Sequence, residues 1–149
     1  SQILPEYIYS FPIDKIQLTR AILVNNSNLQ KIIKIVHKEI RKKLILFLKK
    51  NKNKKFIILD IPLLLEKKIN KKNDILIYVE SKKTDILSNL KKRINFNLKI
   101  INKFKKIQLS IAYKKKSSRF IIKNKFTKKS VKDEVKQILK TIKYERNSS

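Results

Sequence analysis

The run Phe56-Ile57-Ile58-Leu59-Asp60-Ile61-Pro62 constrains the fold of this chain more than any other stretch. From Phe56 to Ile61 it is apolar and rich in β-branched residues, without the alternation of a half-exposed strand. That pattern predicts a strand covered on both faces, as in a parallel sheet flanked by helices. Asp60 falls at its end, and Pro62 stops ladder pairing just beyond. A carboxylate is therefore expected at the carboxyl edge of a parallel sheet, where open α/β sheets bind their ligands.

The remaining pattern alternates helices with strands. Pro5 and Pro12 bracket an irregular lead, and Asp14 suits the N-cap of a short helix reaching about Val24. The cluster Asn25 to Asn28 offers the next cap. Leu29, Ile32, Ile33, Val36, Ile40, Leu44 and Phe47 then recur at threes and fours, predicting the longest helix up to Lys50. Ile75 to Val79 reads as a second strand and Lys82 to Arg93 as a helix. Leu98 to Lys116 reads as one further helix, with Ile101, Phe104, Ile107 and Ile111 as its stripe. Arg119 to Ile122 predicts a third strand. The last helix is expected from near Ser130, with Asp133 and Glu134 in its first turn and Val131, Val135, Ile138 and Ile142 inward. Only Arg146–Ser149 reads as a loose tail. This βα alternation implies an α/β fold with a parallel sheet and covering helices. Three strands are thin for such a sheet, and two helices precede the first of them. An N-terminal βα unit is therefore expected to be missing.

Composition narrows the chemistry. With no cysteine there is no disulfide framework and no thiolate metal site, and His37 is the only histidine. No apolar run approaches the roughly 20 residues of a membrane helix. Nor does the start have a signal-peptide arrangement. A cytoplasmic protein without a membrane partner is expected. The formal charge of +28 comes from lysine spread over nearly every segment, alongside abundant Ile and Asn. A/T-rich codons favour all three residues, so base composition accounts for the charge, and no specific nucleic-acid partner is expected. Non-specific, salt-dependent binding to polyanions still follows from it. Glycine is absent, although about 7% is usual. Nothing here can form a loop of the type G-x-x-x-x-G-K-[ST], so these residues alone lack the usual ATP cradle, and the chain by itself is expected to be inactive.

Asp60-Ile61-Pro62-Leu63-Leu64-Leu65-Glu66 resembles the D-x-P-L-L-[FL]-E signature of the dephospho-coenzyme A kinases. From about Asp14 to Ile142 other positions fall in the same order. Ile13-Asp14-Lys15 resembles the turn into the first helix, and His37-Lys38-Glu39-Ile40-Arg41 the family's His-Pro-x-[VI]-R. Ile77 to Glu80 is similar to its strand ending in an acid. Arg93 resembles the last arginine of Q-x-x-R-x-x-x-R, and Gln108, Lys114, Ile122 and Asn124 the lid and final strand. The resemblance implies a three-layer P-loop kinase-like sheet whose N-terminal strand and phosphate loop are absent from this chain. It implies one partial kinase domain over 1–149, with acceptor-binding helices at about 13–50, core strands at 56–80, a lid at 93–116, and the last strand and helix at 119–143. The implied reaction is ATP-dependent phosphorylation of the ribose 3′-hydroxyl of dephospho-coenzyme A, with Mg²⁺. Asp60 would be the catalytic carboxylate. His37, Pro62, Leu63, Leu64 and Glu66 would bind dephospho-coenzyme A, and Arg93, Lys114 and Asn124 would bind ATP. No residue is expected to form a dedicated protein metal site.

The departures from the family pattern are Lys38 for proline, Ile86 for glutamine, Asn89 for the first arginine and Arg119 for aspartate. The lid arginine before Gln108 is also replaced, with Lys103, Lys105 or Lys106 as its possible substitutes. Two other classes stay open on the residues themselves. One is a degenerate kinase relative kept as a binding module, and the other is a basic nucleic-acid-associated protein. A different nucleotide kinase of the same fold also remains open, since a fold does not fix its acceptor.

Overall fold

Asp14 ends the irregular lead by capping a helix, its carboxylate accepting from the Ile16 N–H at 3.0 Å. In the computed structural model, which describes residues 4–147, this helix is α1 (Lys15–Val24). A single extended residue, Asn25, separates it from α2 (Asn26–Lys50), and the Asn25 carboxamide accepts from the Asn28 N–H at 2.7 Å. Asn28 is itself buried and donates its amide to the Ala21 carbonyl at 3.0 Å. One side chain thus satisfies an otherwise unpaired carbonyl in the last turn of α1 and fixes the corner between the helices.

The chain divides into two compact units. The first comprises residues up to Ile69 together with Asn97–Gln108. Its core is Ile22, Leu29 and Ile33, with Leu18, Leu63, Ile100 and Phe104 packed against it. Ile100 and Phe104 come from α4 (Leu98–Lys106), which Asn97 caps by accepting from the Ile100 N–H at 3.1 Å. Lys103 of α4 donates to the carbonyls of Ile22 and Leu23, at 2.8 and 3.1 Å. A cation at a helix C-terminus satisfies unpaired carbonyls and opposes the macrodipole. Lys103→Met keeps the apolar stem and removes these bonds. It is expected to cost about 1–2 kcal/mol and to speed amide exchange in α4 before the rest of the unit. Unchanged exchange would show that the bonds contribute nothing in solution.

The second unit comprises Asn70–Phe96 and the chain from Leu109 onward. It holds β1 (Ile77–Glu80), α3 (Lys83–Lys91), α5 (Ile111–Ser117), β2 (Phe120–Lys123) and α6 (Lys128–Asn147). β1 and β2 are parallel, with Ile77 opposite Phe120 and Glu80 opposite Lys123. α6 packs on β2, where Ile122 and Ile138 are buried. Both ends of this contact are pinned. Glu134 accepts from the Lys123 N–H at 2.6 Å, and Arg119 pairs with Glu145 while lying over the Phe120 ring.

The α/β architecture and its parallel pairing agree with the sequence reading, with four corrections. The stretch Phe56–Ile61 is not a strand: it alternates between exposed and half-buried residues, and Ile58 is 88% exposed. No neighbouring backbone among the described residues supplies its ladder, so the sheet has two strands rather than three. The helix expected over 98–116 is two helices, because Ser110 starts α5 afresh by accepting from the Tyr113 N–H at 3.1 Å. On α2 the buried row runs Leu29, Ile33, His37, while Val36 and Phe47 are exposed; strict i+4 spacing turns them off the packed face. α6 begins at Lys128, so Asp133 and Glu134 lie beyond its first turn, and it continues through Arg146 and Asn147. Ser148 and Ser149 lie outside the described residues.

Candidate active site

The segment after Asp60 is a compact turn over residues 62–68. Leu63 and Lys68 are left-handed, at φ 56° and 48°, conformations usually left to glycine, of which this chain has none. The turn is held by its own backbone: Lys67 N–H donates to the Leu63 carbonyl at 3.0 Å, and Ile69 N–H to the Leu64 carbonyl at 3.0 Å. Leu63 reaches the Ile22–Leu29–Ile33 core, which anchors the turn on α1 and α2. Arg41 of α2 donates to the Lys67 carbonyl at 3.2 Å.

Asp60 stands exposed at the entrance to this turn. Among the described residues no donor reaches its carboxylate, so it is not spent on capping the loop. Pro62 is exposed, and Leu63, Leu64 and Glu66 are half-buried. His37 is 9% exposed on α2, and its Nδ1 has no hydrogen-bond partner among the described residues. Burial first, then the charges of Lys67 and Arg41, hold its pKa below the ordinary value of 6.5. The first unit thus gathers His37, Arg41 and the 62–68 turn, with Asp60 at the turn's entrance.

The neutral imidazole has a consequence for stability. Between its depressed native pKa and 6.5, the unfolded chain binds a proton that the folded chain does not. Stability is therefore fully present above the ordinary value and declines as pH falls from there through the native pKa. Between about pH 7 and pH 5.5 the melting temperature should fall more steeply for the natural chain than for His37→Leu. Identical slopes would mean that His37 is solvated and titrates normally.

Arg93, Lys114 and Asn124 belong to the second unit. Arg93 lies in the turn after α3 with its side chain exposed. Lys114 is on α5, and Asn124 leaves β2 with its N–H donated to the Glu80 carbonyl at 2.7 Å. Glu80 also pairs through its carboxylate with Lys115 of α5. Asn124 and Lys115, the neighbour of Lys114 on α5, thus meet one residue at the carboxyl edge of the sheet. Of the possible substitutes for the lid arginine, Lys103 is engaged at the end of α1, whereas Lys105 and Lys106 are exposed.

Two cavities stand apart from most of these residues. One of about 450 Å³ is walled by Tyr7, Asn28 and Lys31, and one of about 400 Å³ lies between α6 and β2. Neither contains a residue expected from the sequence to bind substrate or ATP. Among the described residues no three His, Cys, Asp or Glu side chains cluster to hold a metal ion, and no helix is long and apolar enough to cross a membrane. Sequence reasoning passed over Lys115. It sits in a run of three lysines, and nothing in that run distinguishes the one that meets Glu80.

A family model described as dephospho-CoA kinase matches residues 12–130. The chain is 30% identical over 140 residues to a dephospho-CoA kinase of Wolbachia pipientis wMel, covering 93% of this chain and 71% of that one. A dephospho-CoA kinase of the Wolbachia of Brugia malayi is 28% identical over the same shares. One from Rickettsia felis is 36% identical over 109 residues, covering 73% of this chain and 56% of its own.

Proposed function

The chain belongs to the dephospho-CoA kinase family, and on that premise we propose how its residues serve phosphoryl transfer from ATP to dephospho-coenzyme A. The intact protein is a phosphotransferase of coenzyme A biosynthesis. The acceptor atom in this reading is the ribose 3′-hydroxyl. The observation that carries it is the continuous family match over 12–130, which includes Asp60 and the turn behind it. A cytoplasmic location, where MgATP is held, goes with the reading. Neither a binding module nor a nucleic-acid protein is favoured by this match.

Asp60 orders the acceptor hydroxyl and takes its proton as the bond to phosphorus forms. Its exposure, and the lack of a donor to it among the described residues, leave the carboxylate available for this work. The 62–68 turn, pinned by Leu63 and by Arg41, shapes the acceptor pocket with Pro62, Leu64 and Glu66, and His37 stiffens its wall. In the second unit, Lys114 and Arg93 meet phosphate oxygens and Asn124 lies beside the base. A guanidinium can hold two such oxygens at once. A glycine-rich cradle for the triphosphate is not built from these 149 residues. Mg²⁺ takes oxygen ligands and keeps most of its water, so an ion carried on the ATP phosphates would need few ligands from the protein. ATP would supply the γ-phosphoryl group, its bond to the bridging oxygen breaking to release ADP, and Mg²⁺, when bound, would neutralise the charge that develops. The remaining work is positioning and exclusion of water.

The test is to incubate the intact protein with MgATP and dephospho-coenzyme A and locate the new phosphate by mass spectrometry and phosphorus NMR. Coenzyme A phosphorylated at the 3′ position is expected. Transfer to a different nucleoside acceptor, or none, would overturn the reading.

A further inference from the structure

We propose that the outer face of α6 is a docking strip for single-stranded nucleic acid, holding its phosphodiester backbone through Lys129, Lys132, Lys136, Lys140 and Lys143. Such a strip is independent of the kinase reading and would be a second binding surface of the protein. The five lysines are spaced at threes and fours, so on a helix they form one row within an arc of about 80°. From first to last the row is about 21 Å long, with a cation about every 5 Å. All five are exposed, and among the described residues no carboxylate pairs with them.

Base composition accounts for the number of lysines in this chain but not for their place on α6. The acids of the helix are sorted as sharply. Glu134 accepts from the Lys123 N–H of β2, and Glu145 pairs with Arg119 just before that strand. Both therefore point to the sheet, on the side of α6 away from the row. Asp133 alone flanks the row, one turn from Lys129 and from Lys136.

The form of the row selects its occupant. A membrane-bound helix needs an apolar side to insert. On α6 that side, Val131, Val135, Ile138 and Ile142, is buried or half-buried where the helix packs on β2. The row is also one lysine wide, which suits a line of charge rather than a plane of headgroups. A duplex strand winds away from a straight helix, whereas a flexible single strand can follow its whole length. Ammonium groups are point charges without the planar fork that reads a base edge. No aromatic side chain or arginine falls within the arc to stack on a base. Contact is therefore to phosphates alone, so RNA and DNA strands of any sequence should bind alike.

The test compares two charge-matched variants of the intact protein, each with five Lys→Gln substitutions. One removes the row, and the other removes Lys34, Lys52, Lys54, Lys72 and Lys99, which are exposed elsewhere in the chain. Binding to oligouridylate and oligothymidylate of about 20 nucleotides is followed by fluorescence anisotropy from about 50 to 200 mM salt. Loss of the row should weaken both about 10²-fold and flatten the slope of log affinity against log salt by about 3. The other variant should lose less than about threefold in affinity. Lys→Arg at the five row positions keeps the charges and should keep binding, and both row variants should melt with the natural chain. Equal losses in the two Gln variants would show that binding follows total charge, and would overturn the strip. Retained oligonucleotide binding with lost binding to phosphatidylserine vesicles would assign the row to a membrane surface and overturn it as well.

Discussion

Asp60→Asn is expected to lower kcat of the intact protein about 10²- to 10⁴-fold, with little change in KM for ATP and none in melting temperature. The size follows from what a positioned carboxylate contributes when it takes a proton in the transition state. Asparagine keeps the shape and can still hydrogen-bond to the hydroxyl, but it cannot accept the proton. The prediction of unchanged stability follows from the surroundings. Asp60 is exposed, and no donor among the described residues reaches it, so its charge supports no part of the fold. A loop-capping aspartate would give the opposite pattern, with a lower melting temperature and nearly full turnover. Measuring kcat and thermal unfolding on one preparation separates the two.

Leu29→Ala should remove about 3–4 kcal/mol from the first unit. Leu29 is 2% exposed, the largest fully buried side chain among the described residues. It lies between Ile22 and Ile33, with Phe104 and Leu63 packed around the same cluster. Alanine would lose the transfer energy of three carbons and leave a cavity that α1, α2 and α4 can only partly close. Against a total of about 5–15 kcal/mol for a domain, that is a large fraction. The melting temperature should drop by roughly 10 °C. The acceptor turn should loosen with it, because Leu63 is seated on this core. A loss below about 1 kcal/mol in urea unfolding would show that the site collapses freely and that the cluster is not the unit's core.

Local chemistry was the legible part of the sequence. Asp14, Asn25 and Asn97 stand where a side-chain oxygen meets the first free N–H groups, and two of these caps could be read directly. The two strands that pair were also legible, to within two residues, because their apolar runs are short and bounded. Phe56–Ile61 has the same composition, yet strand formation depends on a neighbour, which no local pattern can supply. The break at Ser110 was hidden because a stripe at threes and fours continues across it, and one hydroxyl decides the outcome. At the candidate site, the motif around Asp60 is what singles it out. The pairing of Glu80 with Lys115 could not: they lie 35 residues apart, and 39 cations compete for few acids.

The unpaired stretch at 56–61 bears on how this protein behaves in concentrated solution. Among the described residues nothing pairs with its N–H and C=O groups beside Phe56 and Ile58, Asp60 is its only charge, and such a segment can template strands of other molecules. What opposes that contact is mutual repulsion between chains carrying +28 each. The repulsion reaches about 10 Å at 0.1 M salt and only about 3 Å at 1 M. Colloidal stability is therefore set by the ionic medium, and salt that would help most proteins stay dispersed should drive this one toward fibrous self-association through residues 56–61.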